Sequence, residues 1–268
     1  MTLTAIKIII SVTVILALIY ISERNAKLGG IFAGLPIGTG IMVFFYSIEQ
    51  GNNFMLASIP YAISGLSSTL AFTAGFYVGG KLFVNRPVIK ILSSVICSLI
   101  CYFSVSYLIS LINITLLKSL VIFSASTFIA SIFFSHIPVQ KKIAVKKLTV
   151  WSIVFRIAFI TLAILIITGV ANTIGSKWAG IMASFPSALY PLLLVLAFLY
   201  GDQLYPSVIK SFSYSITTIA VFYLAILYLV PVAGIFTATA ISYLICSIYI
   251  YTLNRLINSR IRLRESKI

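Results

Sequence analysis

From end to end the chain sets long apolar runs against short polar breaks. Within the runs the apolar residues are continuous and do not alternate with polar ones, so each run predicts a helix and not a barrel strand. A helix of about 20 apolar residues crosses roughly 30 Å of hydrocarbon. Nine such spans are expected, at 4–22, 28–48, 54–79, 87–111, 114–135, 150–170, 178–199, 207–230 and 232–254. The third is the least regular, with Pro60, Gly65, Gly75, Gly79 and Gly80 inside it. The first is long for a signal core and lacks a small-residue cleavage site before Glu23, so it is expected to persist as a helix.

The stretch Lys27 to Gly51 returns 150 residues later as Lys177 to Gly201. Lys27, Gly30, Ile31, Ala33, Pro36 and Gly51 correspond to Lys177, Gly180, Ile181, Ala183, Pro186 and Gly201 without a gap. The same offset pairs span one with six, two with seven, three with eight and four with nine, leaving span five as a connector. Four spans plus one extra crossing start the second copy from the opposite side, so the two copies are expected to be inverted, as in many secondary transporters. The expected units are a first four-helix repeat at 1–111, a connector helix with a basic linker at 112–149, a second repeat at 150–254 and a basic tail at 255–268.

Composition agrees with a bilayer: 61% of the residues are hydrophobic and 9% charged, with only four acids, too little polar surface to cover a water-soluble globule. The net charge of +15 is read as topology and not as a nucleic-acid surface, since no soluble domain is present to carry a basic face. With the amino terminus outside, nine spans place sixteen of the nineteen cations on the cytoplasmic side, leaving Lys7, Lys118 and Lys177 outside. The carboxyl terminus is then cytoplasmic. An inner-membrane, multi-pass location is expected, with the tail lying on anionic headgroups. Cys97, Cys101 and Cys246 lie within apolar runs with no neighbouring His or acid, and are read as small buried residues and not as metal ligands. No catalytic set and no cofactor motif is found, so an enzyme is not expected.

Candidate functional residues sit in the repeated helices. Gly30 and Gly34 in one copy, and Gly180 and Ser184 in the other, stack on one helix face and would let a neighbouring backbone approach closely. Pro36 and Pro186 interrupt that face, and each is expected to free the carbonyl four residues earlier, on Phe32 and Met182. Lys27 and Lys177 begin these helices while Glu49 and Asp202 end them, each opposing the helix dipole, so partners elsewhere are expected. Antiparallel packing of spans two and seven would pair Lys27 with Asp202 and Glu49 with Lys177, as alternate gates. Between the gates the polar groups are hydroxyls, among them the repeat-related Ser67 and Ser68, and Thr217 and Thr218. With no charge at mid-membrane depth, a proton pump built on a buried carboxylate is disfavoured.

The spacing of glycine, proline six residues on and glycine fifteen further on, followed by two more spans, resembles the GlpM-like family of small four-helix bacterial inner-membrane proteins. Gly30, Pro36 and Glu49-Gln50-Gly51 carry the resemblance in the first copy, and Ala179-Gly180, Phe185-Pro186 and Gly201 in the second. The second copy departs from it, with Leu199 where the family has an acid, as do Lys27 and Lys177. The resemblance implies two fused four-helix units in an inner membrane and leaves mechanism open. The expected function is a small secondary transporter or amphiphile translocator working by alternating access, whose partners are membrane lipids and a solute of unstated identity. The alternative is a non-transporting scaffold or assembly subunit. Neither the oligomeric state nor a coupling ion is legible.

Overall fold

A computed structural model describes residues 35–83, 86–138 and 150–265, together with five isolated positions near the amino terminus. All regular structure among these residues is helical, in seven elements. They are α1 (Ile37–Gln50), α2 (Asn52–Leu82), α3 (Pro87–Ser110), α4 (Leu116–Ser135), α5 (Val150–Ala183), α6 (Leu189–Tyr200) and α7 (Tyr205–Glu265). Five of them, α2, α3, α4, α5 and α7, are long and apolar enough to cross a membrane, and α6 is a shorter apolar helix. The chain is therefore a multi-pass helical membrane protein. Five such helices stand among the described residues against the nine spans expected: span one and the start of span two lie outside the described residues, and α5 and α7 each run on through a glycine into the next expected span.

Gly175 in α5 (φ 74, ψ 167) and Gly234 in α7 (φ 71, ψ 166) take a conformation that only glycine adopts freely. Each is a non-helical residue between two helical segments, and the chain folds back there. Residues on the two sides of Gly234 touch: the Tyr249 hydroxyl donates to Thr217 Oγ1 (3.0 Å), and the Phe222 and Tyr243 rings lie 5.2 Å apart. Across Gly175, Phe159 meets Tyr190 edge-on at 5.2 Å. The reversal at Gly175 falls in the polar break between spans six and seven, and the one at Gly234 lies three residues beyond Pro231, just inside expected span nine. Gly51 (φ 86) makes a similar turn between α1 and α2, where the Tyr46 and Phe54 rings meet at 5.9 Å.

Of the five helices long enough to cross a membrane α2 is the most buried, and its hydroxyls are buried with it. Ser58, Ser64, Ser67, Ser68, Thr69 and Thr73 are all buried. Thr69 reaches out to the Ser184 carbonyl and Ser67 to Ser126, so α2 packs with its neighbours through hydroxyls as well as apolar side chains, and α1, α3, α4, α5 and α7 all contact it. Residues Val88, Leu92, Ile96 and Ile100 form an exposed stripe on α3 at four-residue spacing, and α4 exposes Leu117, Val121 and Phe128, as lipid-facing sides should. α3 lies close on α2 because glycines remove the intervening side chains. A Cβ at Gly75 would come within 2.7 Å of the Cys97 carbonyl, and one at Gly79 within 2.5 Å of the Ser93 carbonyl. Ser93 Oγ donates to the Gly79 carbonyl across this contact (2.7 Å). The polar linker expected at 138–147 and the tail side chains beyond Leu256 lie outside the described residues, although α7 continues as helix to Glu265.

Candidate functional site

The interruption between α5 and α6 is where side chains of α1, α2, α3 and α7 converge. Helix stops at Ala183 and resumes at Leu189, and Pro186 lies in the gap because its ring has no amide hydrogen to continue the ladder. Around Pro36, just before α1, the backbone repeats the same bonds at the same 150-residue offset. Ile37 N donates to Leu35 O (2.8 Å) and Ser187 N to Phe185 O (2.6 Å). Gly40 N donates to Pro36 O (2.7 Å) and Tyr190 N to Pro186 O (2.8 Å). At the far ends, Gly51 N reaches Ser47 O (3.1 Å) and Gly201 N reaches Ala197 O (3.0 Å).

Carbonyls released by such a break must find donors, since none is available from hydrocarbon. The carbonyl expected to be free, that of Met182, is not: the last turn tightens and Phe185 N takes it at 2.9 Å. The carbonyls that need side chains are its neighbours. Ile181 O accepts from Ser184 N (3.1 Å) and from the Tyr102 hydroxyl of α3 (2.9 Å). Ala183 O loses its helical donor, Ser187 N, to Phe185 O, and accepts instead from Thr39 Oγ1 of α1 (3.1 Å). Ser184 O accepts from Thr69 Oγ1 of α2. Ser184 Oγ donates to Ala62 O and therefore accepts from the Tyr223 hydroxyl (3.1 Å), a buried group on α7. Pro36 O, at the other break, accepts from the Tyr243 hydroxyl (2.9 Å). A ring of hydroxyls from α1, α2, α3 and α7 thus surrounds the broken helix.

α1 and the broken segment cross here in opposite directions. Tyr46 OH donates to Ala179 O (2.9 Å), Thr39 to Ala183 O, and Gly38 leaves no room for a Cβ against the Ser187 hydroxyl. One segment descends from 46 to 38 while the other climbs from 179 to 187. The small residues of the second copy serve a different contact from the one expected. Gly180 abuts the Ser58 carbonyl and Tyr61, and Gly65 abuts the Ile181 backbone, with a Cβ there 3.1 Å away. Gly180 and Ser184 therefore seat α5 on α2, and the crossing with α1 uses Gly38. Gly30, Gly34 and Lys27 lie outside the described residues.

The expected cavity hydroxyls divide. Ser67 Oγ bonds Ser126 Oγ of α4 (2.8 Å), and Thr217 bonds Tyr249, so both tie neighbouring helices together. The side-chain hydroxyls of Ser68 and Thr218, related by the repeat, are fully buried with no hydrogen-bond partner among the described residues. Thr39, Tyr46, Tyr102, Tyr223 and Tyr243 are site residues that sequence reasoning missed. Their signal is a phenol or hydroxyl inside an apolar run, which needs a partner once buried.

At the ends of the broken helix both charged groups are held by other elements. The Lys177 ammonium goes to the Ser110 carbonyl at the end of α3 (2.9 Å) and over the Tyr61 ring (5.6 Å), where antiparallel pairing pointed to Glu49. At the opposite end Asp202 is gripped by Lys90 (2.5 Å), Lys81 (3.4 Å) and the Tyr205 hydroxyl (3.1 Å). Burial raises the Asp202 pKa, but the hydrogen bonds from Lys90 and Tyr205 and the charges of Lys81 and Lys90 outweigh it. Its carboxyl is held below the usual carboxylate range. Beside it lies a cavity of about 110 Å³ lined by Pro87, Lys90, Ile91, Ser94, Ala197 and Tyr205, among others. No family model matches this chain, and neither does any curated protein or solved structure.

Proposed function

We propose that the protein is a small secondary transporter, moving a small or amphipathic solute across a bacterial inner membrane by alternating access. In this reading the chain makes nine crossings in a four-one-four plan, with its amino terminus outside and its carboxyl terminus cytoplasmic. Each half is one GlpM-like unit, and the second is turned over relative to the first. The observation that carries the reading is the antiparallel crossing of α1, which starts just after Pro36, with the helix interrupted at the repeat-related Pro186, where Thr39 donates to the Ala183 carbonyl. Broken helices crossing near the midplane, with backbone groups turned inward, are how inverted-repeat transporters build substrate sites.

The closed ends fit the same reading. Lys177 and Asp202 fasten the two ends of the broken helix to α2 and α3, as two latches that open in turn would. The hydroxyls at the crossing suit a neutral or amphipathic solute, since no titratable charge among the described residues is placed there to carry a proton.

One observation favours the scaffold reading instead. The crossing is filled, with no space for a Cβ between Gly38 and Ser187. Single cysteines at Thr39 and Ser187, in a background with Cys97, Cys101 and Cys246 replaced, separate the two. A transporter exposes both positions to a membrane-impermeant thiol reagent from each side of oriented vesicles. Protection from both sides, in protein that remains folded, refutes transport and supports a closed scaffold.

A further inference from the structure

The cluster at the end of α6 has a chemistry that a gate alone does not require. Lys81 from α2, Lys90 from α3 and Tyr205 from α7 all direct donors at one point, and Asp202 places a carboxylate there. Three elements remote in sequence thus build a cradle of charged and hydroxyl donors that an oxyanion matches. The Lys90 side chain is only 14% exposed, and an ammonium so nearly buried needs a negative partner at all times. Gly80 clears the space: a Cβ there would overlap the Tyr205 hydroxyl and come within 3.1 Å of Ser94 Oγ. The adjoining cavity, at about 110 Å³, holds roughly seven water-sized atoms at ~15 Å³ each, more than the five heavy atoms of a phosphate.

We infer that this pocket is a binding site for a phosphate-class oxyanion, and that Asp202 is its built-in occupant when no ligand is present. Asp202 sits in the turn that follows Gly201 (φ 56), outside any helix, so it leaves the cradle without unwinding a ladder. An entering phosphate takes over Lys90, Lys81 and the Tyr205 hydroxyl, and the displaced carboxylate moves toward water. With Asp202 seated the group carries one net positive charge, and with it displaced two, which is what a phosphate monoanion or dianion matches. The pocket faces the apolar walls of Pro87, Ile91 and Ala197 on one side. It therefore suits either a free phosphate or the phosphate of an anionic lipid, two sources with one recognition chemistry. The site does not depend on the transport reading, because binding is measured without transport.

The test uses the full-length protein in nanodiscs. In one arm the discs are phosphatidylcholine and inorganic phosphate is titrated calorimetrically. In the other, discs doped with phosphatidylglycerol are compared with undoped ones, in phosphate-free buffer, by lipid retained in native mass spectrometry. Asp202→Asn removes the internal competitor and is expected to tighten binding at least tenfold in one arm or both. Adding Lys90→Gln to it is expected to abolish the gain. Tightening with free phosphate alone identifies a soluble ligand, and tightening in the lipid arm alone identifies a headgroup; either supports the site. No tightening in either arm, or tightening that survives Lys90→Gln, overturns it. If the Asn variant is not recovered as monodisperse protein, Tyr205→Phe decides. It keeps the ring contact with Phe76 (5.5 Å) and should weaken wild-type binding about threefold, and unchanged binding overturns the proposal.

Discussion

Replacing Thr39 by valine keeps the shape of a buried side chain and deletes one hydroxyl. That hydroxyl is the donor observed on the Ala183 carbonyl, whose helical donor has turned away to Phe185 O. The Thr39→Val variant would leave an orphaned acceptor in a site that water and lipid do not reach, at a cost of roughly 1–3 kcal/mol. Tyr102→Phe is the internal control. It removes a hydroxyl from the Ile181 carbonyl, which keeps Ser184 N at 3.1 Å. Ordinary side-chain hydrogen bonds within membranes average about 0.6 kcal/mol, so this loss should be near that figure. At about 2–4 °C per kcal/mol, Thr39→Val should lower the melting temperature by roughly 2–12 °C and Tyr102→Phe by about 1–2 °C. Thermal unfolding of detergent-purified variants, followed by size-exclusion fluorescence, measures both. If Tyr102→Phe costs as much as Thr39→Val, or if Thr39→Val is neutral, the accounting of released carbonyls around Pro186 is wrong.

Other consequences are open to measurement. Gly180→Ala puts a methyl against the Ser58 carbonyl and 2.9 Å from Tyr61 Cβ; because backbone must yield, overpacking of about 1–3 kcal/mol is expected in the same melting assay. A neutral result there would mean that α5 and α2 are not in the tight contact described. The Asp202 latch has a defined pH dependence. Its folded pKa is lowered, with Lys81 of α2, Lys90 of α3 and Tyr205 of α7 facing it, so its contribution is present above the unfolded value and lost as pH falls through the lowered one. The melting-temperature difference between wild type and Asp202→Asn should hold from about pH 7 to pH 5 and vanish only below the ordinary carboxylate range near 4. A difference that grows on acidification has the wrong sign for this arrangement.

Much of the plan is local and can be read without coordinates. Apolar runs mark helices because a bilayer leaves backbone groups no other partner, and Pro36 and Pro186 mark the breaks because proline lacks an amide hydrogen. The 150-residue offset reappears in matched backbone bonds at Leu35, Pro36 and Ser47 and at Phe185, Pro186 and Ala197, since the same residues meet the same local constraints. Gly51, Gly175 and Gly201 lie in the polar breaks between spans and take a positive φ, as does Gly234, which lies just after Pro231 inside an apolar run. Partner choice is different. Which carbonyl the break releases depends on how the last turn tightens, and Phe185 N reaching Met182 O moves the need to Ala183 and Ser184. The helix dipole requires that Lys177 and Asp202 have partners but does not say which ones. Ser110 is 67 residues away and Lys81 is 121 away, and only the packing of α2 and α3 against the broken helix brings them within reach.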